Sequence, residues 1–454
     1  MIMFGNVFFL LAFSVVALVI YEFYGKRQKA LFFSIINFIF YILLEYRYAI
    51  LLFFSMGVTY YVIFAGQRTE KRREKGIWGK AGILYVLIVL CVFKYFSFFT
   101  KDMSLVFQLT MPIGISYYSF KMISTIADVC LKEEKWNYTF MQYITYISFF
   151  PQIMCGPITK IDCFDFRENA GEICKKNKVD AFYLIVLGLF KKLVIAERLA
   201  VYTNTVFGAY KEYPALALWL NAVFYSFQLY CDFSGYSDIA IAFTHLFGFK
   251  CDENFRRPYF SASVKEFWTR WHISLSKWLK EYIYIPLGGN RKGKLRKQLN
   301  TLAVFVVSGI WHGNTLNFLV WGIWHAVFNI LSPKRVEGKK RFIYGWTTFF
   351  VVTMGWIFFY YTNITDALAY IGYMMTDLSI STNVIIQTAL PFTMDYACFA
   401  HLGVVLIMLA ILFGEEFVRE RNSQKHLDII RGIQIVCIVL FGVIGTNGFV
   451  YANF

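Results

Sequence analysis

The feature that most narrows the fold is the return of apolar stretches along nearly the whole 454-residue chain, with no interval wide enough for a soluble domain. A helical crossing of a bilayer core needs about 20 apolar residues. Spans of this kind are expected at 2–21, 31–44, 50–65, 83–99, 111–130, 183–196, 216–230, 238–249, 299–311, 316–331, 346–361, 399–413 and 429–450. Several are shorter than a full crossing, which predicts tilted, paired or re-entrant segments. Composition agrees. The chain is 58% hydrophobic and 16% charged, against roughly 45–50% and 25% in soluble domains. The reading is an all-α polytopic membrane protein. The first apolar stretch exceeds the roughly 7–15 residues of a signal peptide and lacks a basic leader, so it is expected to stay as a transmembrane helix.

A net charge of +16 suggests nucleic acid at first sight. The basic residues, however, sit in short clusters between apolar runs: "GKRQK", "RTEKRREKG", "NRKGKLRK" and "SPKRVEGKKR". That pattern belongs to cytoplasmic loops and to the anionic inner leaflet of a lipid bilayer; no nucleic-acid partner is expected. Placing Lys26, Arg27 and Lys29 in the cytoplasm together with Arg68, Lys71, Arg72, Arg73 and Lys75 puts the N-terminus outside. The nine cysteines are scattered and include no C-x-x-C pair, so neither a metal site nor a disulfide framework is expected.

Three stretches resist a simple span. "YISFFPQIMCGPITK" carries Pro151, Gly156 and Pro157. Such backbone is tolerated at membrane depth only inside protein or beside a watery cavity, which predicts a re-entrant segment. "VKEFWTRWHISLSKWLKEYIYIPLGGNRK" reads as one amphipathic helix. Phe267, Trp271, Leu275, Trp278 and Tyr282 share one side, and Arg270, Ser274, Lys277 and Glu281 another, before Pro286 and Gly288–Gly289 end it. "YCDFSGYSDIAIAF" puts Asp232 and Asp238 in apolar surroundings, where carboxylates are costly and face a bundle interior or a wet cavity.

Three of the six histidines (His272, His312 and His325) lie between Ser261 and Leu331, with six of the eleven tryptophans. Each has a plain alternative, a buried ring hydrogen-bonded to a neighbouring helix, and His245, His401 and His426 are read that way. His325 leans the same way, at helical spacing from Trp321 and Asn317. His312 stands apart. It closes the apolar run "NTLAVFVVSGIWHG", and Gly309 and Gly313 leave room for another backbone or a substrate. Imidazole titrates near neutral pH and suits a general base. The three histidines do not match a metal-ligand spacing, and no G-x-S-x-G elbow supports a serine nucleophile. Asp232, Ser234, Tyr236 and Asp238 are candidates for lining a polar path, with interhelical hydrogen bonding as the alternative. Trp268, Arg270, Trp311, Asn317 and His325 are candidates for substrate contact around the two histidines. Lys191 and Lys192 are read as a solvated or snorkelling pair, with donor phosphates as the other possibility.

At these residues the sequence resembles the membrane-bound O-acyltransferase family, and most of all its bacterial branch that O-acetylates alginate and peptidoglycan. The matching stretches are "PIGISYYSF", "YISFFPQIMCGPI", "GLFKKLVIAERLA", "YCDFSGYSDIAIAF", "NFRRPYFSASVKEFWTRWHISLSKWLKEYIYIPLGGNRKG", "SGIWHG" and "NFLVWGIWHA", from about residue 112 to 328. The resemblance implies a single domain over residues 1–454. It implies about 11–13 transmembrane helices with re-entrant and interfacial helices around a central funnel. It also implies acyl transfer from a thioester, acetyl-CoA being the expected donor substrate, to an extracytoplasmic polysaccharide hydroxyl. The family's W-H-G histidine falls on His312, the expected catalytic residue, and that of R-W-H-x-S-x-S on His272, expected to assist it. Expected partners are an extracytoplasmic SGNH-like acetyltransferase and polysaccharide export or synthesis machinery, with no bound cofactor. The expected location is the bacterial cytoplasmic membrane. Tyr360 stands where an arginine is common in the family, and Glu197–Arg198 also departs from its pattern. D-alanyl transfer to teichoic acid and non-enzymatic lipid or polyol transport are the alternatives.

Overall fold

The computed structural model describes residues 7–25, 28–99, 111–167, 178–333, 336–376, 379–393, 397–421 and 424–443. Lys26, Arg27, Cys174, Lys334, Arg335 and the outer ends of the first and last expected spans fall outside them. All regular structure among the described residues is helical. The first four helices are α1 (Val7–Ile20), α2 (Lys29–Glu45), α3 (Ala49–Arg68) and α4 (Arg72–Phe99), followed by α5 (Ile115–Ile126). Then α6 (Phe140–Ser148), α7 (Lys178–Leu189), α8 (Glu197–Gly208) and α9 (Ala215–Leu246) lead to the short pair α10 (Val264–Arg270) and α11 (Ile273–Leu279). A hairpin of α12 (Gly293–His312) and α13 (Leu316–Leu331) precedes α14 (Lys340–Tyr360). The chain closes with α15 (Ile364–Met374), α16 (Thr382–Ala389), α17 (Cys398–Glu420) and α18 (Gln424–Phe441).

Among the described residues, length and apolarity alone qualify five segments for crossing a membrane: 7–24, 29–68, 72–95, 340–360 and 398–420. Helices α9 and α12 have the length, but polar side chains dilute them. Together with the expected spans they make a multi-pass membrane protein.

The re-entrant expectation holds in outline. Thr139 and Gln142 form a reciprocal cap at the start of α6, satisfying donors a helix start leaves open. The helix lasts nine residues before the turn around Pro151. The chain then comes back to Asp162, which accepts a hydrogen bond from Tyr138 just before α6. Entry and exit therefore lie side by side.

Two expectations are corrected. The spans at 216–230 and 238–249 are one helix, α9, buried on almost every side. No helix breaker separates them, and the only glycine between, Gly235, serves a helix crossing. A Cβ there would lie 2.8 Å from the Gly188 carbonyl oxygen of α7, and one at Gly188 would lie 2.6 Å from the Gly235 carbonyl oxygen. The amphipathic segment is not one helix. It breaks at His272, whose backbone is left-handed (φ 44°, ψ 55°). A non-glycine residue in that region is uncommon and is held there by its surroundings. The break keeps Trp271 stacked on Phe267 and against Trp356 of α14. It turns His272 instead toward Phe233 of α9. Helices α15 and α16, which are short and half-exposed, were not expected.

Candidate active site

His312 is the last residue of α12, because Gly313 leaves the helix in extended conformation. Helix α13 returns close against α12. A Cβ at Gly309 would run into the Phe318 carbonyl, one at Gly322 into the Phe305 carbonyl, and one at Gly313 into the Phe318 ring. The glycine clearance is thus filled by α13 and Phe318, and it fixes the end of α12 rather than leaving a gap. The His312 ring is 3% exposed. Trp311, Trp321 and Phe359 surround it with ring centroids at 4.7, 4.9 and 5.3 Å. Its position at a helix C-terminus sets it among outward-facing carbonyls, which favour a cation by about 0.3–1 kcal/mol.

His272 is 1% exposed. Its ring meets Phe233 edge-on at 4.7 Å and faces Tyr117 of α5 at 6.5 Å. Tyr117 in turn lies 6.2 Å from Trp311. Tyr117 therefore lies between His272 and Trp311, the residue that precedes His312.

His325 is completely buried and packs on Trp268 and Trp321, both at 5.1 Å. Neither of its ring nitrogens, nor the indole N–H of Trp268 or Trp321, has a hydrogen-bond partner among the described residues. The expected plain alternative, one carbonyl satisfying His325, is not what the structure has. Asn317 donates to the Tyr361 carbonyl at 2.7 Å, while its own Oδ1 is buried without a partner.

A stack of rings leads away from His312: Trp311 on Phe120 at 5.0 Å, and Phe120 on Trp278 at 4.0 Å. Trp278 lines a cavity of about 300 Å³ with Ser124, Pro157, Lys160, Ser274 and Glu281. Lys132 and Lys160 both pair with Glu281 at its rim. Neighbouring Glu133 pairs with Arg72, so the cavity opens on the face that carries the basic loop after α3.

The acidic candidates lie elsewhere. Lys191 pairs with Asp238 at 2.7 Å, and Lys192 with Asp232 at 2.6 Å and Glu197 at 2.8 Å. The two aspartates pair α9 with the π-helical turn 190–196, and Glu197 opens α8 directly after that turn. Lys191 and Lys192 are buried, which corrects the solvated reading; their carboxylate partners, the nearby Glu197 and the distant Asp232 and Asp238, make burial tolerable. Tyr236 donates to the Pro151 carbonyl and so braces the re-entrant turn. Ser234 is buried on the same helix. Arg270 pairs with Glu266 rather than facing the histidines.

Three residues near the histidines were not singled out from sequence: Lys94, Tyr117 and Asn254. Lys94 had a visible signal, a lone lysine inside an expected span. It is buried, 5.2 Å from the Trp311 ring centroid, with Ser116 Oγ at 3.4 Å. Tyr117 and Asn254 lie in stretches that carried the resemblance, but their partners are too far along the chain to be read locally.

Residues 84–332 match the family model of MBOAT, the membrane-bound O-acyltransferase family. The chain is 33% identical over 394 residues to the probable alginate O-acetylase AlgI of Pseudomonas aeruginosa, covering 80% of this chain and 73% of that protein. It is 30% identical over 370 residues to the peptidoglycan O-acetyltransferase of Helicobacter pylori, covering 72% and 70%. The teichoic acid D-alanyltransferase of Bacillus subtilis is 28% identical over 260 residues, covering 53% and 65%.

Proposed function

The chain belongs to the membrane-bound O-acyltransferase family, and we propose that this membrane O-acyltransferase moves acetyl groups from acetyl-CoA to a hydroxyl of a cell-surface polysaccharide. The acetyl group reaches the polymer directly or through an extracytoplasmic SGNH-like acetyltransferase. The acetyl and polysaccharide parts of this reading draw on relatives named for alginate and peptidoglycan O-acetylation.

The observation that carries it is the position of His312: buried at the C-terminus of α12, joined by stacked rings to a polar cavity on the basic face. The thioester enters from that cavity and the hydroxyl from the opposite side. As the hydroxyl oxygen bonds to the acyl carbon, its proton passes to His312. The C–S bond breaks and the thiolate leaves, taking the proton. The carbonyls at the helix end stabilise His312 while it holds that proton. A positioned base of this kind contributes typically 10²–10⁴-fold in rate. His272, across Tyr117, assists.

The test uses membranes carrying the full chain, supplied with acetyl-CoA, and follows acetyl transfer and release of the CoA thiol. His312→Ala is expected to lose about 10²-fold or more while inserting at parental levels. Undiminished transfer by that variant overturns the assignment of the base. A D-alanyl thioester offered in parallel separates the acetyl reading from D-alanyl transfer.

A further inference from the structure

Asn254 touches His272, and its own hydrogen bonds determine which ring nitrogen of His272 carries the proton. Asn254 is 1% exposed. Its Oδ1 accepts from the backbone N–H of Ser274 at 3.1 Å and from Ser274 Oγ at 2.9 Å. Ser274 Oγ itself accepts the backbone N–H of Ile158 at 3.0 Å, so its own hydrogen is free to point at Asn254. The amide nitrogen of Asn254 reaches Ser237 Oγ on α9 at 3.3 Å. Flipping the amide would set its NH₂ against the Ser274 N–H, donor against donor. The oxygen's place is therefore fixed by a backbone group that can only donate.

The same Oδ1 lies 3.3 Å from His272 Nδ1. Facing an acceptor, Nδ1 must carry the hydrogen. Neutral imidazole has one N–H, which leaves Nε2 as a bare lone pair. That Nε2 is buried and has no hydrogen-bond partner among the described residues. The Asn254 backbone carbonyl accepts from Ile273 N–H at 2.9 Å and helps hold the left-handed turn at His272.

Resting on the reading of the two-histidine site above, we propose that Asn254 is a positioning residue that presents His272 Nε2 as a proton acceptor. While neutral, His272 has no hydrogen on Nε2 to offer a developing oxyanion. It takes a proton at Nε2 and then donates from both nitrogens, the Nδ1–H staying on Asn254. The titratable group packed against it is Tyr117 of α5, with Trp311 and then His312 of α12 beyond, while Phe233 and Phe255 pack on it from other sides.

Two measurements decide this. The first is ¹⁵N NMR of the full chain in bilayers with ring-labelled histidine, the His272 signals being those lost in His272→Gln. The expected pattern at neutral pH is a protonated Nδ1 and a bare Nε2, with Asn254→Leu releasing the preference. A proton on Nε2 in the parent overturns the proposal without touching the acyltransfer reading. The second is turnover of acetyl-CoA against pH. Asn254→Leu is expected to lower kcat by roughly 10²-fold with KM unchanged. Asn254→Asp keeps the acceptor and adds a negative charge that favours the imidazolium, so the acidic limb of its profile moves to higher pH. Parental kcat per inserted molecule in Asn254→Leu, or an unmoved limb in Asn254→Asp, overturns the proposal. His272→Ala in the same membranes separates the two failures. Full transfer by that variant removes His272 from the site altogether.

Discussion

Two regions of this molecule bury polar side chains at depth and treat them in opposite ways. Around α7, α9 and α17, Lys191, Lys192, Asp232, Asp238 and Glu197 are matched cation to anion. Tyr230 donates to Glu416, and Glu415 takes up Arg419 and Gln434. Around α10 to α14, by contrast, His272 Nε2, both nitrogens of His325 and the indole N–H groups of Trp268, Trp311 and Trp321 have no hydrogen-bond partner among the described residues. An unmade buried hydrogen bond costs about 1–3 kcal/mol. One layer pairs its buried charges, although Ser234 Oγ and Gln434 Oε1 there also lack a partner among the described residues, while the other leaves histidine and indole nitrogens open. The ion pairs and the candidate active site therefore occupy different places, and buried polar residues are sorted by charge pairing rather than by their presence.

The comparison breaks if the charge-paired layer turns out to be chemical. Lys192→Met strands Asp232 and Glu197 together in a buried site, and breaking such a pair costs about 3–5 kcal/mol. The expected outcome is little inserted protein and early unfolding in detergent, with recovery when Asp232→Leu and Glu197→Leu are added. A well-folded Lys192→Met chain that had lost only transfer would move the ion pairs into the active site. Lys94→Met probes the open region. Removing a cation beside the Trp311 ring is expected to lower kcat/KM by roughly 10-fold or more, as loss of an electrostatic contact at a reacting centre does. Thermal stability should hold or rise, since a desolvated lysine is given up. The smallest effect is expected at the surface. Arg72 and Glu133 are exposed, and Glu133→Ala should shift unfolding by about 0–1 kcal/mol and leave transfer unchanged.

Much of the architecture could be read from residue patterns, because a bilayer permits few alternatives. Pro151 and Pro157 announce the re-entrant turn, and the Trp-rich interval around His272 and His312 points to the candidate site. What was lost was long-range pairing. Asp232 and Asp238 looked like the end of one span and the start of another because their neutralising lysines sit on a different helix. Lys191 and Lys192 were misread for the same reason. The break at His272 was hidden because apolar spacing continues unbroken from Phe267 to Tyr282, and periodicity does not register a single left-handed residue. Asn254, whose carbonyl helps hold that turn, lies eighteen residues upstream.

Ser274 borders the cavity and also completes the hydrogen-bond chain from Ile158 through Asn254 to His272. One small hydroxyl therefore ties the shape of the cavity wall to the orientation of a buried imidazole, so that any enlargement at position 274 alters both at once.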